Sequence, residues 1–399
     1  YKARMSFLRD RLYDLQKACW DAEIPSLILF EGWDAAGKGT TINRLTQREM
    51  EDRGYAATCI YNGFPVATGG ADRAAVRRRL GVADDALLLA HPVRAIPRKN
   101  IPAAIRLADR VSTVSPTYAR EICRPSDRST GFIGGEGLET LLQAAQDEGR
   151  LSGVLNGCFY GDSPGRRPGW QRILGMLAAQ LRDWQIDEPA NKAHKLALER
   201  LATMPKRRPQ HVLTSIGRLV AQKATLLLHP QEGGESPLER IANDLGRKAV
   251  IIILGSGESS FEARMLEVAT ELPNLIFLCG YSEVLADPLY HAGDLFLMPS
   301  SFEPCGISQM LAMRRGQPCV AHAVGGLSDT IEHGKTGFLF RGSTPDAQAD
   351  AFVETTLDAL ALRSDDPVRW QEICKAAAAR RFDWARSARQ TINALYLDK

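Results

Sequence analysis

Ala249-Val250-Ile251-Ile252-Ile253-Leu254, then Gly255-Ser256-Gly257, then the stretch from Ser260 to Leu272: this succession decides the fold. The six apolar residues include three isoleucines and a valine, side chains that favour a strand. Gly255 and Gly257 end it with a turn. Beyond them Phe261, Met265, Leu266, Val268 and Leu272 recur at helical spacing, so one face of a helix is apolar. A strand, a glycine turn and an amphipathic helix form the repeating unit of a parallel sheet. Working outward, similar apolar runs predict strands at Ser26–Phe30, Ala57–Tyr61, Ala86–Ala90, Arg110–Val114, Ser152–Leu155, His211–Ile216, Leu275–Leu278, Asp294–Met298, Pro318–Ala321 and Gly337–Phe340. The fold class is therefore α/β, of the doubly wound kind. The tail from Asp346 to Lys399 has no strand candidate and reads as two or three helices.

Ser-Pro-Gly-Arg-Arg-Pro at 163–168 concentrates turn formers and marks the main boundary. It divides an N-terminal α/β domain, 1–165, from a C-terminal domain, 166–399. Fifty Lys and Arg against 47 Asp and Glu leave a formal charge of +3, too little to attract nucleic acid or an anionic membrane generally, so any anion site is local. The eight cysteines lie far apart with no Cys-x-x-Cys, which argues against a disulfide framework, a zinc ribbon or another metal site. The longest purely apolar run is far below the ~18 residues of a membrane span, and the first ten residues lack a secretory apolar core. Buried thiols in a reducing cytoplasm are the expectation.

Gly32-Trp33-Asp34-Ala35-Ala36-Gly37-Lys38-Gly39-Thr40 follows an apolar strand candidate and opens a helix over 41–53. That is the context of a phosphate-binding loop, in which Gly32, Gly37 and Gly39 free backbone N–H groups to face an anion and Lys38 adds a point charge. An ordinary glycine-rich turn is the alternative. The usual hydroxyl after the lysine is replaced by Gly39, which passes any magnesium ligation to Thr40 or elsewhere.

Four further features fall in order between His211 and Asp329, each where a strand ends, the place for ligand sites in open α/β sheets. Arg218 and Lys223 set two cations after the His211 strand, suited to a diphosphate. An echo with the same spacing occurs at Arg94 and Lys99. Gly255 and Gly257 form the second feature. Tyr281, after the Leu275 strand, could face a nucleotide base, although by itself it reads equally as a core tyrosine. The fourth is the densest: Pro299 to Gln309, Pro-Ser-Ser-Phe-Glu-Pro-Cys-Gly-Ile-Ser-Gln, then Gly325-Gly326-Leu327-Ser328-Asp329. Glu303 could fix sugar hydroxyls through charge-assisted hydrogen bonds, and Gly325-Gly326 opens an anion-binding helix start. A lone Glu303 would read as a charge favoured by the helix dipole; the ordered set favours a site.

These motifs resemble the bacterial glycogen and starch synthase family over residues 108–399, through "ADRVSTVSPTYAREI", "GEGLETLL", "SIGRLVAQK" and "PSSFEPCGISQ" with "GGLSDT". The resemblance implies the GT-B architecture of two facing Rossmann-like domains. It implies retaining transfer of glucose from ADP-glucose to an α-1,4-glucan, with no cofactor. By the same resemblance Arg218 and Lys223 hold the diphosphate, Tyr281 the adenine, Glu303 the donor glucose and the Gly325-Gly326-Leu327 amides the distal phosphate, while Cys305, Gly306 and Gln309 line the sugar loop with Gly255 and Gly257 nearby.

Residues 6–62 resemble the polyphosphate kinase type 2 family instead, which implies a nucleotide or polyphosphate at the P-loop. Residues 62–108 resemble the donor-domain opening of another retaining glycosyltransferase family. On this reading the N-terminal domain joins a P-loop segment (1–62), a mosaic segment (63–108) and a synthase-like segment (109–165). The synthase family's Lys-x-Gly-Gly-Leu loop is missing from 1–107, Cys158-Phe159 stand where an Asp is expected after Leu155-Asn156-Gly157, and Ala224 replaces a Gly. A glucosyltransferase is the leading expectation, with a P-loop kinase and an inactive nucleotide-sugar binding chimera as alternatives.

Overall fold

A computed structural model describes residues 89–90, 101–160, 167–231 and 233–397. The strand candidates at 26–30 and 57–61, the P-loop, and the Arg94 and Lys99 echo lie outside the described residues. Two parallel sheets organise the rest. The smaller has the order β1 (Leu89–Ala90), β2 (Arg110–Thr113), β3 (Leu151–Gly153). Its helices are α1 (Ile101–Leu107), α2 (Pro116–Glu121) and α3 (Glu139–Asp147), and Ile105, Val111, Ile122 and Leu142 form its core.

The larger sheet comprises β4 (His211–Ile216), β5 (Ala249–Gly255), β6 (Leu275–Cys279), β7 (Leu295–Met298), β8 (Cys319–His322) and β9 (Phe338–Phe340). Leading into it are α4 (Trp170–Asp187) and α5 (Lys192–Thr203). Between its strands lie α6 (Ala221–Leu228), α7 (Pro237–Leu245), α8 (Ser259–Glu271), α9 (Glu283–Ala292), α10 (Ser308–Arg314) and α11 (Gly325–Thr330). The tail supplies α12 (Pro345–Asp365), α13 (Pro367–Ala379) and α14 (Trp384–Ile392).

β5 shows why the opening stretch is so apolar. Val250, Ile252 and Leu254 pack into one core with α4 and α9, while Ile251 and Ile253 pack into another with α7 and α8. A strand covered on both faces has no polar side to alternate with.

The strand order is β6-β5-β4-β7-β8-β9, all parallel. The chain winds outward from β4 in one direction, returns, and continues from β7 in the other. The loops after β4 and β7 therefore diverge from one crevice at the carboxyl edge, the switch point where doubly wound sheets bind ligands.

β8 ends on His322, which is buried and stacked on Phe340 with ring centroids 5.0 Å apart. Its Nδ1 lies 3.1 Å from the Ser300 carbonyl oxygen. Burial pushes its pKa down to about 4, against about 6.5 for an ordinary histidine. As pH falls below about 6.5 the unfolded chain takes up this proton first, so stability is lost down to about pH 4, by about 3 kcal/mol in total. Urea midpoints measured across that range are expected to fall less steeply for His322→Gln. Equal slopes in the two proteins would remove His322 from the acid response.

Candidate functional site

The crevice is built from the two loops that the switch point separates. After β4 the chain turns through Gly217 and Arg218 into α6, whose first turn carries Gln222 and Lys223. After β7 it runs through 299–307 into α10. Arg218 and Lys223 line a cavity with Ser215, Gly217, Pro299 and Ser300.

Glu303 is buried, at 6% exposure. Lys223 Nζ donates to its Oε2 at 2.6 Å, and Ser300 Oγ donates to the same oxygen at 3.1 Å. Two residues 80 apart in sequence thus form one ion pair on opposite sides of the crevice. The reading of Glu303 as a solitary charge at a helix start is excluded by this geometry.

Gln222 fixes the rest of the loop. Its Nε2 donates to the Phe302 carbonyl at 2.8 Å, and its own carbonyl accepts from the Ser301 N–H at 2.8 Å. Gln309 is fully buried and braces from the other side, donating to the Cys305 and Gly306 carbonyls at 3.0 and 3.1 Å. Cys305 is buried beneath it, and burial pushes its thiol up to about 12, so the sulfur stays protonated at neutral pH.

Gly325 and Gly326 are glycines because the Glu303 loop lies against them. Gly325 has φ +42°, and a Cβ there would lie 2.0 Å from the Glu303 carbonyl oxygen. At Gly326 the Cys305 carbonyl oxygen would be 2.2 Å away, while the Gly326 N–H donates to the Glu303 carbonyl at 3.0 Å. The sugar loop and the start of α11 are thereby joined back to back.

Gly255 and Gly257 have a comparable part at the other edge. Their positions abut the Gly217 and Leu219 carbonyl oxygens, at 2.1 and 2.3 Å from where a Cβ would be. Leu219 exchanges backbone hydrogen bonds with Ser256 and Glu258, so the β5 turn supports the Arg218 turn. Tyr281 is 76% exposed, with its hydroxyl donating to Glu283 at 2.9 Å. A core role for this ring is excluded, and its face is open to solvent at the end of β6.

The structure thus brings Arg218, Lys223, Glu303, Cys305, Gly306, Gln309, Gly325, Gly326 and Leu327 to one carboxyl edge, with Tyr281 after the outermost strand of the same edge. Gly32, Gly37, Lys38, Gly39 and Thr40 lie outside the described residues. Sequence reasoning missed Ser300 and Gln222, which orient the Glu303 loop. It also missed Glu121 of α2, whose carboxylate accepts from the Gly325 N–H at 2.9 and 3.1 Å. The string "SPTYARE" contains that residue without any sign of its partner. Among the described residues no group of three or more His, Cys, Asp or Glu could hold a metal ion, and no helix is long and apolar enough to cross a membrane.

Residues 210–358 match a family model described as glycosyl transferases group 1, and residues 16–144 match one described as the starch synthase catalytic domain. The chain is 35% identical over 306 residues to a glycogen synthase of Hydrogenovibrio crunogenus, covering 73% of this chain and 56% of that protein. It is 36% identical over 310 residues to a glycogen synthase of Thioalkalivibrio sulfidiphilus, covering 75% and 57%. Among solved structures it resembles the catalytic domain of starch synthase IV from Arabidopsis thaliana bound to ADP and acarbose. There the TM-score is 0.53 at 26% identity, covering 74% of this chain and 57% of that one. The chain spans little more than half the length of the curated relatives it matches. The starch synthase match starts at residue 16 and crosses the P-loop and the 63–108 stretch, where the sequence reading sees fragments of two other families.

Proposed function

We propose, from the premise that the chain carries a segment of the glycogen and starch synthase family of GT-B glycosyltransferases, that it moves glucose from ADP-glucose to an α-1,4-glucan with retention of configuration. The observation that carries this reading is the meeting of Lys223, Glu303 and the Gly325 and Gly326 backbone across the switch point. Lys223 and Arg218 take the diphosphate, which leaves carrying negative charge that two cations offset. Glu303 receives hydroxyls of the donor glucose, Tyr281 stacks on the adenine, and the α11 amides take the distal phosphate. On this reading the C-terminal domain, 166–399, takes the donor, and the N-terminal domain, 1–165, is assigned the acceptor. The six described cysteines are all free, in keeping with a reducing, cytoplasmic setting.

Incubation with radiolabelled ADP-glucose and glycogen tests the reading directly: label is expected in the polymer. A parallel incubation with ATP and polyphosphate tests the P-loop expectation at Lys38. Phosphoryl transfer there with no glucosyl transfer would overturn the proposal.

Lys223→Ala gives a finer check. The ammonium keeps 21% exposure beside a carboxylate that is nearly buried. Losing this cation is expected to weaken ADP binding by about 2 kcal/mol, the lower end for a desolvated charge pair. Unchanged affinity by titration calorimetry would remove Lys223 from the diphosphate site.

A further inference from the structure

The proposed donor site needs cations and amides that are open to a diphosphate, and in this structure both ends of it are held by carboxylates of the protein itself. Glu303 takes Lys223. At the other end Glu121 takes the Gly325 N–H, with both carboxylate oxygens sharing the one donor.

The Glu121 contact is held in place by its surroundings. It comes from α2, a helix of the smaller sheet, and 204 residues separate the partners. Two more cross-connections fix α2 in the same position. Thr117 donates to Asp329 of α11 through its N–H at 2.8 Å and its hydroxyl at 2.7 Å. Ser115, the α2 cap, donates from Oγ to the Pro304 carbonyl at 2.6 Å, next to Glu303. One short helix therefore touches α11 from both of its ends, and its cap touches the sugar loop.

We propose that Glu121 is a positioning residue that competes with the donor's distal phosphate for the Gly325 amide, so that donor binding is an exchange of phosphate for carboxylate. The inference rests on the donor-site reading above. A carboxylate and a phosphate drawn to the same backbone N–H lie close enough to repel each other. Either the carboxylate withdraws as the phosphate arrives, which loosens the α2–α11 contact, or the phosphate is excluded. Donor affinity is thereby tied to how the two sheets are held together, and that link is an equilibrium coupling in both directions.

Burial raises the Glu121 pKa, and nearby Asp329 raises it further, while the Gly325 amide, Arg120 and Arg124 lower it. β3, packed against α2, is Leu-Ser-Gly and adds no titratable group, and β2 carries only Arg110 at its start. A protonated Glu121 is a neutral acid that no longer repels phosphate, so mild acid is expected to relieve the competition.

Titration calorimetry of ADP against the full chain tests this with Glu121→Gln and Lys223→Ala beside the parent. Glu121→Gln is expected to tighten ADP about tenfold, within the usual range for coupled sites. The advantage of the variant over the parent is expected to shrink as pH falls through the Glu121 titration. Glu121→Asp serves if the glutamine variant does not fold: the shorter carboxylate withdraws from the amide and tightens ADP by less. A parent that binds no ADP beside a variant that does would also support the exchange. If Lys223→Ala weakens ADP while both Glu121 variants leave it unchanged or weaker, this inference fails and the donor site stands. If Lys223→Ala has no effect, or no variant binds ADP, the donor reading fails and the exchange falls with it.

Discussion

Replacing Glu303 by alanine is expected to cut glucosyl transfer by ~100-fold or more while leaving ADP binding no weaker than in the parent. Positive charge develops on the glucose ring in retaining transfer, and only contacts that strengthen in that state raise the rate. Glu303 is the carboxylate that the loop after β7 holds in the crevice, with Ser300 fixing the oxygen that also meets Lys223. ADP lacks the sugar, so it loses no partner when this carboxylate is removed. Lys223, released from its ion pair, gains freedom to meet a phosphate. The signature is thus a fall in turnover without a matching fall in nucleotide affinity. Glu303→Gln keeps the shape of the side chain and separates charge from volume: it is expected to remain close to the alanine variant in rate. A variant as active as the parent, or one losing rate only in step with ADP affinity, would place Glu303 outside the reacting sugar's surroundings.

The positions of these residues are partly legible in the amino-acid sequence, because a strand is a local property and so is the loop that follows it. The apolar runs at 211–216, 249–254 and 275–278 match β4, β5 and β6 to within a residue at either end. Arg218, Lys223, Glu303 and Gly325 can therefore be placed after strands from spacing alone. Periodicity carries no information about strand order. Only the order β6-β5-β4-β7-β8-β9 sets the Lys223 loop opposite the Glu303 loop. Gly255 and Gly257 look like a nucleotide turn in sequence, yet the Gly217 and Leu219 carbonyls pressed against them give a packing reason for the same residues. Glu121 is illegible for a different reason: its partner is a backbone N–H, which leaves no mark on the identity of residue 325 beyond glycine. Tyr281 is ambiguous in sequence because exposure depends on where α9 begins relative to the sheet edge, and its 76% exposure settles that point.

The largest loss of stability is expected at a residue that carries no catalytic signal, Asp294. It precedes β7 at the amino edge of the sheet, opposite the donor crevice, and is buried. Three guanidinium groups converge on its carboxylate: Arg208 at 2.7 Å, Arg363 at 3.2 Å and Arg167 at 3.4 Å. The Val212 N–H donates to it as well, at 2.8 Å. These partners belong to separate parts of the chain. Arg167 lies in the turn-rich stretch between the two sheets, Arg208 leads into β4, and Arg363 sits on α12. One carboxylate therefore ties the inter-sheet connection and the long helix α12 to the central strands. Asp294→Ala removes the anion and leaves three cations close together, with Arg208 and Arg363 at 27% and 21% exposure, so they are only partly able to recover hydration. Breaking a buried pair from one side costs about 3–5 kcal/mol, a large part of the ~5–15 kcal/mol that holds a typical domain together. Asp294→Asn is expected to cost less, because an amide oxygen can still accept from the Val212 N–H. Chemical denaturation of the three proteins checks the ranking, parent above asparagine above alanine. An alanine variant within about 1 kcal/mol of the parent would mean that the arginines find water as readily as they find the carboxylate, as surface pairs do.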